Sequence, residues 1–332
     1  MAAHTRRFVI VTRTPRAAEV RRTYASASLA RFALKERHES YSTYSAEEEA
    51  ILEAIERVKA ALHDLGHILE IDRSLLPSTP FHGDDIFVAV GQDGLVANTL
   101  RYSRELPVIG INPDPARYEG ALLPFTPSDA SQAARAVLEK SFPIQKITLA
   151  EGKFSNGASI IAANDLFIGK ADHSSALYRV AQHAKEERQS SSGILVSTPM
   201  GATAWQRSIL AGARGIIQTF ARETVIPDVP PPAKSERSLS FWVREPWPSV
   251  ASQANIVAGH VTEIAPLTVV SEMGSGGVVF ADGMQQDSFP FPAGERLTIK
   301  PATISGALVV KSVESARYAT PPPLPKVSKR KV

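Results

Sequence analysis

The segment Gly91-Gln92-Asp93-Gly94 follows an apolar run and precedes a predicted helix. A strand that ends in glycines and opens a helix presents backbone N–H groups to an anion, and glycine lets a phosphate approach closely. Asp93 is the unusual member, because a carboxylate beside a phosphate is unfavourable unless it binds Mg²⁺ or removes a proton from an attacking hydroxyl group. The segment therefore indicates either phosphate chemistry or an ordinary Gly-Asp-Gly turn.

The dipeptide Asn164-Asp165 ends a second apolar run in the segment IAANDLFIG. Asn offers a hydrogen-bond donor and an acceptor, and Asp offers two acceptor oxygens, which suits ribose hydroxyl groups or an adenine edge. An Asx turn that closes a strand is the alternative interpretation, and for an isolated pair it is the more common one.

A third polar segment, GILVSTPMGATAW, begins at Gly193 and predicts a strand, a Pro-Gly turn and the start of a helix. Thr198 and Thr203 are candidate hydroxyl contacts for a ligand, and Trp205 is a candidate for stacking on a base. The alternative interpretation of Trp205 is a buried core side chain.

Taken in order along the chain, these segments resemble the NAD kinase family, within the superfamily that includes the diacylglycerol and sphingosine kinases. The order is GxDG, PVIGIN, ND and GxxVSTPxGxTAW, and its joint occurrence over roughly residues 80–310 is far more specific than any single motif. The resemblance implies an α/β domain with a parallel Rossmann-like sheet, a β-rich domain, and substrates held between them. It also implies transfer of the γ-phosphoryl group of ATP to the adenosine 2′-hydroxyl of NAD(H), with Mg²⁺ or another divalent cation, by a homo-oligomer.

The resemblance assigns roles residue by residue. Asp93 would be the general base for the acceptor hydroxyl group. The positions assigned to phosphate or nucleotide binding are Gly91, Gln92, Gly94 and Asn112. The positions assigned to the substrate are Asn164, Asp165, Ser192, Thr198, Gly201, Thr203, Ala204 and Trp205. No residue is assigned as a metal ligand.

Several positions depart from the family pattern. Gln92 stands where the family has the second loop glycine, and Leu95 stands where a Thr follows the loop. Ser192 replaces an acidic residue, and Met200 and Ala202 replace Thr and Ser. A polar site that loses an acid and two hydroxyl groups leaves part of a dinucleotide unsatisfied. Three hypotheses therefore stay open: an NAD(H) kinase, a kinase of another small hydroxyl acceptor (a nucleoside, a sugar or a lipid head group), and a non-catalytic nucleotide sensor.

The predicted elements that position these residues change along the chain, from alternating strands and helices to mostly short strands. Residues 1–143 are expected to form the α/β nucleotide-binding domain, because apolar runs there alternate with segments of helical periodicity. The predicted strands are Arg7–Thr12, Asp85–Val90 and Pro107–Ile111. The predicted helices are Ala46–Leu65 (with Gly66 as its C-cap), Val96–Arg104 and Ser128–Lys140.

Residues 144–318 are expected to form a β-rich substrate-binding domain, because short apolar runs are separated by turn residues. Two predicted helices, Ala176–Arg188 and Ala204–Ile217, interrupt the strands. The segments MGSGG and FADGMQQD predict hairpin turns. Residues 319–332 are Pro-rich and basic and predict a disordered tail.

Composition narrows the function further. The 332 residues include no Cys, which excludes disulfides, thiolate catalysis and Cys-based metal sites and is compatible with the cytoplasm. No run of 18 apolar residues exists, so no membrane span is predicted. The net charge is +3, but residues 1–37 carry +7 and residues 321–332 carry +4, so the body carries −8. Because the basic charge lies at the two ends, it gives little support to nucleic-acid binding, and the expected partner stays a small-molecule dinucleotide or nucleoside.

Overall fold

A computed structural model of the chain describes residues 6–24, 26–36, 40–221 and 230–312. The chain divides into two compact units. The first unit holds the residues up to 145 together with a return segment that starts at 307, and the second unit begins at 146 and continues to 306. The predicted tail, 319–332, lies outside the described residues.

The first unit is built on a parallel sheet. Its strands are β1 (Arg7–Thr12), β2 (His67–Asp72), β3 (Ile86–Val90) and β4 (Pro107–Ile111). They lie in the order β2-β1-β3-β4, and each neighbouring pair is parallel. Every residue of β3 is buried, as expected for a parallel strand that is covered on both faces.

Five helices accompany this sheet within the described residues. They are α1 (Arg16–Thr23), α2 (Ala27–Glu36), α3 (Tyr41–Leu62), α4 (Asp93–Ser103) and α5 (Ala130–Leu138). Helix α3 buries Ile51, Ile55, Val58 and Leu62 at spacings of three and four residues, and these pack with Phe8 and its neighbours on the sheet.

Gly66 does not cap α3, contrary to the sequence prediction, because the helix ends at Leu62 and His63 is its cap residue. The glycine is instead needed for packing. A Cβ atom at Gly66 would lie 2.3 Å from the carbonyl oxygen of Arg6, so no larger residue fits between α3 and β2.

The return segment completes the first unit. Strand β16 (Arg296–Val309) starts in the second unit, and its residues Ala307 and Leu308 pair in parallel with β4. The sequence pattern predicts one continuous second domain over 144–318. The structure differs because this strand pairing returns the chain to the first sheet at residue 307.

The second unit consists of two antiparallel sheets around one apolar core. The remaining strands are β5 (Ile144–Phe154), β6 (Ser159–Ala162), β7 (Asp165–Lys170), β8 (Ala176–Gln182), β9 (Lys185–Ser191), β10 (Ile194–Ser197), β11 (Leu239–Val243), β12 (Ala258–Val261), β13 (Leu267–Ser271), β14 (Gly277–Ala281) and β15 (Met284–Pro290). One sheet has the order β12-β11-β10-β7-β14-β15. The other joins β13 to β8 and β16, with β9 beside β8 and β5 linking β16 to β6.

Alternating burial explains this arrangement. Strands β11, β13 and β14 each bury every second residue, which is the pattern of a sheet with one face on a core. Phe241, Val269 and Val279 are fully buried in the shared core. Helix α6 (Trp205–Phe220) follows β10, close to the predicted Ala204–Ile217.

The predicted helix Ala176–Arg188 is wrong, because this segment forms the hairpin of β8 and β9. The turn is made at His183, whose φ of +53° is left-handed. Burial at every second residue, including Ala176, Tyr178 and Val180, outweighs the helix propensity of the Ala, Lys and Glu residues that follow.

The segment MGSGG is also not a hairpin turn. Residues 273–277 connect β13 in one sheet to β14 in the other, so they join two strands that do not pair with each other. The second predicted turn, in FADGMQQD, is confirmed between β14 and β15. Among the described residues, no helix is both long and apolar enough to cross a bilayer.

Candidate functional site

The Gly91–Gly94 loop connects β3 to α4 at the carboxyl edge of the parallel sheet. Asp93 is the first residue of α4, and Gln92 precedes it in an extended conformation with φ −101° and ψ 165°. Ligands of open α/β sheets bind at this edge, where helix N-termini offer free N–H groups. The loop therefore lies where an anion would be received.

The Asp93 carboxylate is held by the loop that follows β4. It accepts a hydrogen bond from the backbone N–H of Leu122 at 2.8 Å and a longer one from that of Ala121 at 3.3 Å. The Asp93 side chain is only partly buried. Because a carboxylate has about four acceptor positions, it keeps capacity for a hydroxyl group of a substrate.

Gln92 replaces the family's glycine without strain, because its extended backbone is open to any residue. Its side-chain Nε2 donates to Oε1 of Glu47 at 3.3 Å, and the Tyr118 hydroxyl donates to the same oxygen at 2.5 Å. Burial and the neighbouring Glu47 raise the pKa of Tyr118. Neither Glu47 nor Tyr118 belongs to a sequence motif, so this partly buried support of the loop was not predicted.

The two loop glycines face different surroundings. A Cβ atom at Gly91 would lie 2.9 Å from the side chain of Leu95, which is 3% exposed. A Cβ atom at Gly94 would meet nothing within 4 Å. Packing therefore explains a small residue at Gly91, whereas the space beside Gly94 is open.

Asn112 is occupied within its own loop. Its Nδ2 donates to the carbonyl oxygen of Tyr118 at 3.0 Å, and its Oδ1 accepts from the N–H of Asp114 at 3.1 Å. The side chain is 4% exposed. Asn112 thus shapes the loop whose N–H groups hold Asp93.

In the second unit, Asn164 and Asp165 form the corner between β6 and β7. The Asp282 carboxylate accepts three consecutive backbone N–H groups there: Oδ1 from Asn164 at 2.6 Å and Asp165 at 3.1 Å, and Oδ2 from Ala163 at 3.0 Å. Asp282 lies in the turn between β14 and β15 with φ +53°. The sequence pattern identified this turn but not the use of its side chain.

Asp165 is a buried carboxyl group, 6% exposed. It accepts hydrogen bonds from the Ser197 hydroxyl and the Trp205 backbone N–H. Burial raises its pKa from 3.8 to about 7, the negative charge of Asp282 adds to the rise, and the hydrogen bonds oppose it. This group therefore changes its charge near neutral pH.

The STP segment is tied to the same corner. The Thr198 N–H donates to the carbonyl oxygen of Asn164 at 2.8 Å, and its hydroxyl donates to that of Ala163 at 2.6 Å. A Cβ atom at Gly201 would lie 2.2 Å from the Asn164 carbonyl oxygen, so only glycine fits. The Thr198 hydroxyl thus serves the fold, and the Thr203 hydroxyl bonds to the carbonyl oxygen of Met200 at 3.3 Å.

Trp205 begins α6, directly after Ala204, and is partly buried. Its ring stacks on Phe167 with centroids 5.6 Å apart and planes inclined by 12°. The guanidinium of Arg244 lies 5.3 Å from the Trp205 ring centroid. The ring is therefore neither a core side chain nor free on both faces.

Ser192 lies before β10, at the opposite end of that strand from the STP segment. Its hydroxyl donates to the carboxylate of Glu245, which follows the stacked Arg244 along the chain. Neither Arg244 nor Glu245 belongs to a motif of the sequence. They were missed because the pairing of β10 with β11 brings them here from a distant part of the chain.

Predicted site residues therefore form one cluster in each unit. The cluster of the first unit contains Gly91, Gln92, Asp93, Gly94 and Asn112, and that of the second contains Asn164, Asp165, Thr198, Gly201, Thr203, Ala204 and Trp205, with Ser192 at the far end of β10. Within the described ranges, no three His, Asp or Glu side chains converge as metal ligands.

Comparison with known sequences points to one kind of protein. An NAD kinase of Heliobacterium modesticaldum is 26% identical over 234 residues, covering 68% of this chain and 73% of that relative. NAD kinases of Chlorobaculum tepidum (29% identical) and Methanothermobacter thermautotrophicus (28% identical) match 37% and 47% of this chain, and the matches span only 44% and 59% of those relatives. No family model matches the chain.

Comparison with solved structures supports the same fold. An NAD kinase from Archaeoglobus fulgidus in complex with ATP has a TM-score of 0.56 at 16% identity, covering 94% of this chain and 98% of that one. A yeast NADH kinase complexed with NADH has a TM-score of 0.57 at 13% identity, covering 94% and 85%. The predicted fold class and the resemblance to the NAD kinase family are confirmed, and the low identity makes this chain a divergent relative.

Proposed function

We propose that this chain is an ATP-dependent kinase that phosphorylates a ribose hydroxyl group, converting NAD(H) to NADP(H). The observation that carries the proposal is the placement of Asp93. It is the first residue of α4 at the carboxyl edge of the sheet, partly accessible, and oriented by two backbone N–H groups. A general base needs this combination of fixed direction and access to the proton it removes.

In this proposal the Asp93 carboxylate takes the proton of the acceptor hydroxyl while that oxygen attacks the γ-phosphorus of ATP. The bond from the γ-phosphorus to the bridging oxygen breaks, and ADP leaves. The loop N–H groups and the N-terminus of α4 receive the phosphates, and the open space beside Gly94 leaves room for them. Positioning and charge stabilisation supply most of the catalysis in such reactions.

Mg²⁺ is the proposed cofactor. Proteins that use Mg²⁺ with nucleotides commonly supply one or two carboxylates and leave the remaining positions to phosphates and water. No group of three potential ligand side chains exists among the described residues, so the phosphates and water would supply most of the ligands of the ion, and Asp93 stays free to act as the base. When bound, the ion neutralises charge on the transferring phosphoryl group.

The acceptor is proposed to bind at the Asn164–Asp165 corner, next to the Trp205 ring. A second candidate, another small hydroxyl acceptor such as a nucleoside, a sugar or a lipid head group, is favoured by one feature. The Ser192 hydroxyl, which replaces an acid, is engaged by Glu245, and Met200 in place of a Thr is 3% exposed. Two polar groups for a dinucleotide are thereby removed from this unit.

The test is incubation with Mg-ATP and a panel of acceptors, with products identified by mass spectrometry. We expect NADP or NADPH from the wild type and a loss of at least about a hundredfold in kcat for Asp93→Asn, the scale of general-base catalysis. Product from another acceptor alone supports the second candidate. Tight dinucleotide binding without ATP consumption by any acceptor supports the sensor hypothesis and refutes both kinases.

The proposal also includes a homo-oligomeric assembly and a cytoplasmic location. Helix α6 buries none of its residues, and Leu210, Ile216 and Phe220 are 40%, 64% and 85% exposed. Such an apolar face supports a homo-oligomer. The solution mass, measured by mass photometry, should exceed that of one 35.8 kDa chain. A cytoplasmic location stays a prediction, to be checked by fractionating cells.

A further inference from the structure

The Asp282-Gly283 turn does more than reverse the chain. Its two residues have φ of +53° and +70°, which suits a tight turn between β14 and β15. Such a turn is closed by its backbone and needs no side chain. The Asp282 carboxylate instead reaches a segment more than a hundred residues earlier in the chain and accepts three consecutive N–H groups.

We propose that Asp282 is a positioning residue of the acceptor site: it fixes the Asn164–Asp165 corner and places a second carboxylate beside Asp165. This inference rests on the proposed function. It gives the turn a role in acceptor binding while leaving the phosphate-donor loop of the other unit untouched.

The hydrogen bonds support the positioning role. Three neighbouring backbone N–H groups at one corner donate to the same side chain, the Asp282 carboxylate. The Asp282 N–H in turn donates to the carbonyl oxygen of Asp165 at 2.9 Å, so the two residues are joined by hydrogen bonds in both directions. Removing the carboxylate would leave three backbone N–H groups without their acceptor, and the backbone conformation of the corner would no longer be held.

The corner in turn determines the positions of the neighbouring segments of the proposed acceptor site. The Asn164 carbonyl oxygen holds the Thr198 N–H and lies against Gly201. The Asp165 carboxyl group receives the first N–H of α6, at Trp205. A shift of the corner would therefore move both the Asp165 carboxyl group and the start of α6.

The charge of Asp282 has a separate consequence. The groups that face Asp165 are the Ser197 hydroxyl of β10, the Trp205 N–H of α6 and the Asp282 carboxylate of the β14–β15 turn. Of these three, only Asp282 carries a charge, and it disfavours ionisation of Asp165. Its removal lowers the pKa of Asp165, so the limb of the pH profile that reports this group moves to lower pH.

The experiment compares the wild type with Asp282→Ala, Asp282→Asn and a matched control, Asp172→Ala. Asp172 also caps a turn of the second unit, accepting the Ser174 N–H at 2.9 Å, but it lies beyond the opposite end of β7 from the corner. The measurements are KM for NAD, KM for ATP, kcat, the pH dependence of KM for NAD, and thermal unfolding.

We expect Asp282→Ala to raise KM for NAD by about tenfold or more, with KM for ATP changed less than about twofold. Asp282→Asn keeps an acceptor oxygen but not the charge, so we expect a smaller rise in KM and a pH limb at lower pH. Asp172→Ala should leave both KM values unchanged.

An unchanged KM for NAD in Asp282→Ala overturns the inference, as does an equal rise in both KM values or an unmoved pH limb in Asp282→Asn. If the wild type forms no phosphorylated product, the kinase proposal fails by itself, and calorimetric binding of NAD decides the inference. Weaker NAD binding by Asp282→Ala then supports it. Equal binding, or no binding by the wild type, overturns it.

Discussion

Gly94→Ala separates the stability of α4 from the function of its N-terminus. Gly94 is the second residue of the helix, it is exposed, and an added Cβ atom would meet nothing within 4 Å. Alanine is favoured over glycine in a helix by about 0.5–1 kcal/mol. The variant should therefore be more stable than the wild type, with a melting temperature higher by about 1–4 °C.

The same methyl group should harm the proposed activity. It would occupy the open space through which a phosphate approaches the loop N–H groups. We expect KM for ATP to rise by about tenfold or more, equivalent to about 1.4 kcal/mol of lost binding. The assay is steady-state kinetics with varied ATP at saturating acceptor, paired with a thermal melt of the same preparation.

Gly215→Ala is the matched control. Gly215 also lies in a helix, α6, and its added Cβ atom would likewise meet nothing within 4 Å. It should stabilise the protein by a similar amount and leave KM for ATP unchanged. An unaltered KM for ATP in a stabilised Gly94→Ala variant would show that phosphate does not approach this loop, and the reasoning would be refuted.

Three further variants test the second unit. Gly201→Ala places a Cβ atom 2.2 Å from the Asn164 carbonyl oxygen, so chemical denaturation should show a loss of about 1–3 kcal/mol. Tyr178→Phe removes a buried hydroxyl that donates to Gln189 at 2.9 Å, and should cost about 1–3 kcal/mol. Because the folded pKa of Asp165 is raised from 3.8 to about 7, the folded state holds this proton more tightly. Stability contributed by this group should fall as pH rises between about 4 and 7, and Asp165→Asn should flatten that slope in urea titrations.

The first unit followed from the sequence because its signals are local. Strand β3, the glycine-containing loop and the start of α4 are consecutive in the chain. One short stretch of sequence therefore predicts the strand, the loop and the helix together. The carboxyl edge follows from the parallel order of the strands. What the sequence does not contain is the distant support, such as Glu47 under Gln92 and the Leu122 N–H on Asp93.

The second unit was harder to predict because its positions are set by pairing across the chain. The Ala176–Gln182 and Lys185–Ser191 strands look helical in composition, and only burial at alternate residues identifies them. Asp282 looks like any Asp-Gly turn until β14 pairs with β7 and brings it to the Asn164–Asp165 corner. No local pattern encodes that contact.

The departures from the family pattern differ in their local consequences. In the first unit, Gln92 points its amide into the protein toward Glu47, and Leu95 is buried against Gly91. Both side chains are accommodated inside the unit, Gln92 by a hydrogen bond and Leu95 by packing, and Asp93 keeps its two N–H partners.

In the second unit, the changes affect positions that the proposed function assigns to the acceptor. The Ser192 hydroxyl is consumed by Glu245, and Met200 is buried. If the Gly91–Gly94 loop binds the phosphate donor and the Asn164–Asp165 corner binds the acceptor, as proposed, these losses favour the second candidate, phosphoryl transfer to another small hydroxyl acceptor. Side-by-side kcat/KM values for NAD, NADH, adenosine and a sugar decide it. One satisfied polar group is expected to change kcat/KM by about tenfold or more. A kcat/KM for NAD that exceeds the values for adenosine and the sugar by this margin would therefore contradict the second candidate.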